Sequence, residues 1–535
     1  MNEHFDVIII GTGAGGGTLL HRLAPSGKRI LVLERGPFLA RSKDNWDYFG
    51  SFQYYSKEAM FNRDGGEIYP GFSYHVGGNT KVYGAALFRL REKDFAAFRH
   101  HDGVSPEWPI KYRDWEPYYT QAEELYQVHG EAGTDPTEPW RSKDYPFPPI
   151  SHEPRIAEVF NQLRARGMKP YAAPMGIRIN EAAMHQSPCI RCNTCDGYPC
   201  LVHAKSDADV IGVRPSLPKQ NVTLLTEAKV LRLNTTASGR EISSVVADVK
   251  GQRMEFSADV VVVACGAVNS AALLLRSADE KHPYGLANNS SGLVGRNLMK
   301  HVLGSLVAVT AEKANPTRFP KTMAINDYYW GEPGYEFPMG NVQLMGRTAP
   351  EGYRSQAAQF APLTPEEMAR HAVEWWLTTE DLPDPNNQVR LSQAGVVIDY
   401  SENNSAPFDR LLNRWTSVLQ EINGAAAGIK SGHFPTKMPM HSLGHQVGTC
   451  KFGDNPKTSV LNLNCRAHDV DNLYVVDGSF FVSSGAVNPT LTIVANALRV
   501  GDHLLERLGA RAAEPALARV SAAPTQPIVV EMTMA

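Results

Sequence analysis

The sequence has no run of about eighteen apolar residues, which excludes a membrane-spanning helix of ordinary length. It also lacks a basic, apolar leader: the first residues run straight into Asp6-Val-Ile-Ile-Ile, the pattern of a buried strand. The expectation is therefore a cytoplasmic protein, exported only if a partner carries the signal. An excess of one charge is missing too. Lys and Arg number 53 against 56 Asp and Glu, a net charge of -3 with a pI near 6.6. Neither nucleic acid nor an acidic membrane is expected as a partner. Helical period is lacking after residue 510, where residues 511–535 are rich in Ala and Pro and are expected to form a loose tail. What the chain does have is size. With 535 residues, 43% hydrophobic and 20% charged, it can bury a large core, expected as two interleaved domains.

At the front, Asp6-Val-Ile-Ile-Ile-Gly11-Thr-Gly13-Ala-Gly-Gly16 reads as a buried strand, a G-x-G-x-x-G turn and a helix carrying Leu19, Leu20 and Leu23. Glycines there allow a tight turn and let backbone amides approach a pyrophosphate at the positive end of the helix. A second strand, Arg29-Ile-Leu-Val-Leu33, ends in Glu34, where an acidic side chain receives a ribose hydroxyl. Together these predict a dinucleotide site in an α/β, Rossmann-like domain.

Related features recur far along the chain. Tyr74-His75-Val-Gly77-Gly78-Asn79-Thr80 carries a glycine pair suited to backbone packing against a flat ligand. Val260-Val-Val-Val-Ala-Cys265-Gly266 is a buried strand turning into a helix, and Leu473-Tyr-Val-Val-Asp477-Gly478 is another strand ending in an acid, with a helix from about Thr490. The stretches between hold many aromatics, prolines and alternating strands such as Gln388-Val-Arg-Leu-Ser. The expected division is residues 1–95, 205–305 and 441–510 for the dinucleotide domain and 96–204 and 306–440 for an inserted substrate domain of antiparallel sheet plus helices.

Near the C-terminus, His445-Gln-Val-Gly-Thr-Cys450 precedes Asp477-Gly-Ser and Asn488-Pro489-Thr-Leu-Thr. With Thr226-Glu-Ala228-Lys-Val230 and Val294-Gly-Arg-Asn297-Leu-Met-Lys-His301 in order between them, the chain resembles the glucose-methanol-choline (GMC) flavoprotein oxidoreductases over almost its whole length. The resemblance implies the GMC fold and FAD rather than NAD. The adenosine half would lie on Gly11, Gly13, Gly16 and Glu34, with the Val230 backbone at the adenine. Gly77, Gly78 and Asn79 would reach the flavin, Asp477 and Gly478 the phosphate and ribityl chain, and Asn488 and Thr490 complete the cofactor set. Several relatives attach the flavin through a histidine four residues after the second glycine; here that position is Val82, so non-covalent FAD is expected.

By the same resemblance His445 matches the family's catalytic histidine, and Asn488 its partner position, held by His in some relatives and Asn in others. Alcohol oxidation needs a base within hydrogen-bond reach of the hydroxyl while hydride leaves the same carbon. Imidazole accepts a proton near neutral pH, and an amide can hold the substrate oxygen without competing for that proton. Within the family, His445 with Asn488-Pro489 and residues 324–333 and 338–343 resembles bacterial pyranose oxidases and glycoside 3-oxidases or 3-dehydrogenases. That implies oxidation at C3 or C2 of a glucopyranose or glycoside, with oxygen, a quinone or a redox partner as acceptor. The alternative is a GMC enzyme for a sterol, polyol or aromatic alcohol. Gln343 faces either substrate or solvent in this reading, Trp375-Trp376 forms either a stacking wall or core, and Glu380 is a further candidate partner of the active pair. An oligomer or a small companion subunit stays open.

Seven cysteines are present, and four fall in Cys189-Ile-Arg-Cys192-Asn-Thr-Cys195-Asp-Gly-Tyr-Pro-Cys200. The C-x2-C-x2-C-x4-C spacing approaches, without matching, a bacterial ferredoxin run. Three readings stay open: an iron–sulfur cluster on Cys189, Cys192, Cys195 and Cys200, a structural zinc, or a thiol-rich loop with or without disulfides. Cys265, Cys450 and Cys465 are expected to be structural.

Overall fold

Residues 7–10 and 30–33 are almost wholly buried, because parallel strands covered on both faces require continuous apolar runs rather than alternation. The computed structural model describes residues 3–47, 54–287, 291–310, 312–354, 357–423, 431–438 and 444–510; the tail expected over 511–535 lies outside them. Strand Glu3–Ile10 lies between Ile30–Leu33 and Gln252–Val263, all parallel, with Val222–Leu225 beyond Ile30–Leu33. Gln252–Val263 spends its first residues beside Ile242–Val249 in an antiparallel meander and its last three beside Leu473–Val475, again in parallel. The strands therefore end at one edge, and the segments leaving Ile10, Leu33, Val263 and Val475 meet there, the crevice that such sheets use for ligands. Helix Thr490–Arg507 packs on both Ala14–Leu23 and Tyr112–Leu125 and closes one face.

A second sheet is antiparallel, in the order Ser431–Lys437, Val302–Thr310, Ala372–Thr379, Asn341–Leu344, Met323–Ile325 and Tyr171–Ala172. Its side chains alternate between two faces. Val302, Leu306, Val342, Leu344, Trp375 and Leu377 pack with Phe408, Leu411 and Trp415 of helix Ser405–Asn423. Each such buried side chain contributes roughly 1.5–3 kcal/mol relative to exposure. Leu303, Gln343, Trp376 and Thr378 point the other way, onto the crevice. The Trp375-Trp376 pair is thus divided: Trp375 lies in the core, its ring centroid 4.9 Å from that of Trp415, while Trp376 lines the cavity. Strand Val302–Thr310 lies wholly in this second sheet. Among the described residues no helix is long and apolar enough to cross a membrane.

Candidate active site

One cavity of about 380 Å³ runs from the glycine turn of the parallel sheet to the inner face of the second sheet. Its glycines divide into two kinds. A Cβ on Gly15 would stand 1.8 Å from the Val476 carbonyl oxygen, and one on Gly16 2.0 Å from that of Gly11, so these residues close the helix onto the sheet. At Gly13 a Cβ would meet nothing within 4 Å, whereas one on Gly78 would stand 3.1 Å from the Gly13 Cα. Two backbones thus meet and leave open space at the N-terminus of helix Ala14–Leu23, a cradle for phosphate oxygens. Gly16 and Gly77 stand behind this wall; the Gly77 amide donates to Thr12 Oγ1 at 3.0 Å.

Glu34, at the end of its strand, accepts from the Thr12 amide (3.0 Å) and hydroxyl (2.5 Å) and from the Gly36 amide (2.9 Å). Burial raises its carboxyl and these hydrogen bonds oppose the rise; the carboxylate still has acceptor capacity on the cavity side. Asp477 accepts from the amides of Gly266 (3.0 Å) and Ser479 (2.8 Å), with burial again raising its carboxyl. Asn79 spans the loop before it, accepting from the Ser73 amide and donating to the Gly71 carbonyl. Gly11, Gly13, Glu34, Gly78, Asn79, Val230, Asp477, Gly478, Asn488 and Thr490 all line the cavity. The open cradle, the acid at the strand end and the length of the crevice fit FAD. Val82 lines it too and carries no nucleophile.

At the other end Asn488 is fixed by a chain of buried amides. The Asp135 carboxylate can only accept, so Asn326 Nδ2 donates to it (3.1 Å). Asn326 Oδ1 then accepts from Asn341 Nδ2 (2.8 Å), Asn341 Oδ1 from Gln343 Nε2 (3.0 Å), and Asn488 Oδ1 from the same Gln343 nitrogen (2.9 Å). Every amide orientation follows from the carboxylate at the far end, and Asn488 is left with its N–H groups to offer. Gln343, 2% exposed, lines the cavity, and its buried Oε1 has no partner. An unpaired buried acceptor costs about 1–3 kcal/mol, which a ligand hydroxyl would recover.

His445 shares this end of the cavity. Burial holds its imidazole well below the ordinary value of 6.5, the charges of His301 and Lys321 lower it further, and Asp196 opposes them. The ring is therefore neutral and able to take a proton. His301 and the Lys321–Asp196 pair were not singled out from sequence. Lys321 Nζ lies 2.8 Å from Asp196 Oδ2, both on the cavity wall with side chains 6% and 18% exposed. Lys321 sits in no motif, and Asp196 lies within the four-cysteine string, whose signal is carried by the thiols. His301 closes a string that the sequence does display, and its Nδ1 lies 3.1 Å from His445 Nδ1. Glu380, a further candidate partner of the active pair, accepts from Ser105 (2.7 Å) and lies 3.2 Å from His100, outside the main cavity.

Asp196 reaches the cavity on the four-cysteine loop. Lys205 Nζ staples that loop by donating to the carbonyls of Tyr83 (2.7 Å), Cys195 (2.6 Å) and Tyr198 (2.8 Å). All seven cysteines are free, and among the described residues no three Cys, His, Asp or Glu side chains could hold a metal ion. Burial raises the Cys189 thiol to about 11 and the Cys195 thiol further, and the neighbouring loop thiols add to the rise. Of the three readings left open by the spacing, the iron–sulfur cluster and the zinc find no support among the described residues, and the same loop carries Asp196 to the cavity. Cys450 and Cys465 are buried, and Cys265 lines the cavity with its thiol raised to about 12 by burial.

Family models described as GMC oxidoreductase match residues 5–303 and 429–497. Over 95% of this chain and 92% of the relative, the sequence is 33% identical to 6'''-hydroxyparomomycin C oxidase of Streptomyces lividus. It is 32% identical to paromamine 6'-oxidase of Streptomyces fradiae, over 92% and 90%, and 26% identical to the fructose dehydrogenase large subunit of Gluconobacter japonicus, over 94% and 98%. Among solved structures, pyridoxine 4-oxidase from Mesorbium loti superposes with a TM-score of 0.64 at 17% identity, over 93% of this chain and 99% of that one.

Proposed function

The chain belongs to the GMC oxidoreductase family, whose members bind FAD and oxidise alcohols, and on that premise we propose that it oxidises a sugar or glycoside at the C3 or C2 ring hydroxyl, giving a keto sugar. The observation that carries this reading is the wall opposite the glycine turn. Gln343 Oε1 without a partner, the Asn488 amide, and the Lys321–Asp196 pair stand beside the ring of Trp376. Several convergent hydrogen-bonding groups beside an aromatic face suit a polyhydroxylated ring; a sterol would need an apolar wall.

FAD, held without a covalent bond by the Gly11–Gly13 turn, Gly78, Glu34, Val230 and Asp477, supplies the hydride acceptor when bound. The protein's own part is to place and deprotonate the alcohol. Asn488 donates to the substrate oxygen, Gln343 accepts from a neighbouring hydroxyl, and His445 takes the hydroxyl proton as the carbon gives up hydride. Oxygen, a quinone or another redox partner would be the final electron acceptor.

A second reading, oxidation of a primary hydroxyl on an amino sugar to an aldehyde, is favoured by the names of the two Streptomyces relatives and by a carboxylate, Asp196, on the cavity wall. Anaerobic incubation with a methyl glucoside and with an amino sugar, followed by product analysis, tests both. A keto glucoside supports the first reading and an aldehyde the second. A flavin that stays oxidised with either removes sugars from consideration.

A further inference from the structure

His301 lies outside the pair that the family resemblance implies for catalysis, yet the fold brings it to the base. Met299 and Val447 form an antiparallel bridge, each amide donating to the other's carbonyl at 3.0 and 2.9 Å. In that register residue 301 falls opposite residue 445, and the rings meet edge to face with centroids 5.2 Å apart and planes at 88°. The backbone at His301 is left-handed, φ 69°, an unfavourable conformation for a residue with a Cβ. Asp381 holds it there: its two carboxylate oxygens accept from the Lys300 and His301 amides, each at 2.8 Å. Ser484 Oγ (3.0 Å) and Tyr400 Oη (2.8 Å) hold the carboxylate in turn.

We propose that His301 is a positioning residue that sets the tautomer of His445, so that the bare nitrogen of the base is the one free to meet the substrate hydroxyl. The argument is one of donors and acceptors. His301 Nε2 lies 3.1 Å from the Ser484 carbonyl oxygen, which can only accept, so Nε2 carries the hydrogen. A neutral His301 then has a bare Nδ1. His445 Nδ1, 3.1 Å away, must donate to it, and the lone pair of His445 is left on Nε2. A histidine with a single ordinary partner is free to hold either tautomer; this one is set by a backbone carbonyl two hydrogen bonds away.

The surrounding charges agree with a neutral resting pair. Burial is the largest influence on His301 and lowers it, Lys300 lowers it further, and Asp381, the Ser484 carbonyl and Glu380 oppose the fall. The same carboxylates face the pair once a proton arrives. As the substrate O–H bond breaks and an N–H bond forms at His445 Nε2, the Nδ1 hydrogen moves along its existing hydrogen bond towards His301. The positive charge is thereby shared towards Asp381 and Glu380, and the carbon's hydrogen departs as hydride with the electron pair of its C–H bond, for which bound FAD would be the acceptor.

This inference rests on His445 being the base, and three variants separate the two claims. His301→Leu removes the acceptor for His445 Nδ1–H. His301→Gln keeps an acceptor for His445 and a donor for Ser484 while losing the ability to carry charge. His445→Ala tests the base itself. Anaerobic flavin reduction is followed by stopped flow across pH, with flavin content and melting temperature measured on each protein. The expected result is a fall in the limiting reduction rate of at least about a hundredfold in His301→Leu with little change in substrate affinity. His301→Gln should recover most of that rate. An unchanged rate and pH profile in His301→Leu, with His445→Ala inactive, overturns the proposal and leaves the base assignment standing. Equal losses in the Leu and Gln variants also overturn it, since the tautomer would then not be what matters. Normal reduction in His445→Ala overturns the base assignment as well.

Discussion

The two ends of the cavity are built from different materials. At the dinucleotide end the wall is mostly main chain: Gly11, Gly13, Gly78 and Gly478, with Glu34 and Asp477 pinned by backbone amides. At the substrate end it is side chain: Trp376, Gln343, Lys321, Asp196, Asn488 and His445, drawn from segments far apart in sequence. A main-chain wall has no room for a Cβ at positions such as Gly11 and Gly15, whereas a side-chain wall can be edited one hydrogen bond at a time. The first end therefore defines the cofactor and the second is where substrate choice can vary.

The contrast is broken most severely by adding a Cβ at Gly15. Gly15→Ala would place it 1.8 Å from the Val476 carbonyl oxygen, and the expected cost is about 3 kcal/mol with loss of bound flavin; calorimetry and the visible spectrum read both. At the other end, Gln343→Leu removes the donor that fixes Asn488 and the buried, unpaired acceptor beside it. It should lower kcat/KM by about ten- to a hundredfold while flavin content stays full. Lys321→Gln retains a hydrogen bond to Asp196 and removes a charge that lowers His445. With that charge gone the imidazolium is less disfavoured, so the His445 value rises and the acid limb of flavin reduction moves to higher pH; KM should rise about tenfold. The smallest effect is expected at Cys192, on the thiol loop and outside the cavity. Cys192→Ser should change stability by less than about 0.5 kcal/mol and leave flavin reduction as it was. A large loss of activity there would reopen the question of a metal on the loop.

How much of this could be read from sequence follows the same division. Gly11, Gly13, Glu34 and Asp477 were legible because a strand, a tight turn and a helix are local, and local geometry needs particular residue types at fixed spacing. The pairing of Gln343 with Trp376 was not, since it depends on the register between Asn341–Leu344 and Ala372–Thr379. That register is also what sends Trp375 into the core and Trp376 to the cavity. His301 is the intermediate case: the string that contains it stands out, but only the Met299–Val447 bridge shows that it faces His445. The thiol loop is legible as a dense run of cysteines but not as the segment that brings Asp196 to the cavity, which depends on how Lys205 fixes it through carbonyls. Release of free FAD by acid would sharpen the account of Val82, while colour retained in the pellet would contradict it.

The most direct test of the central claim is the anaerobic visible spectrum of the FAD-loaded protein mixed with excess methyl glucoside, beside His445→Ala under the same conditions. The account predicts bleaching of the flavin band in the unaltered protein and a spectrum that stays oxidised in the variant. Equal bleaching in both would contradict His445 as the base, and no bleaching in the unaltered protein would contradict the sugar as hydride donor.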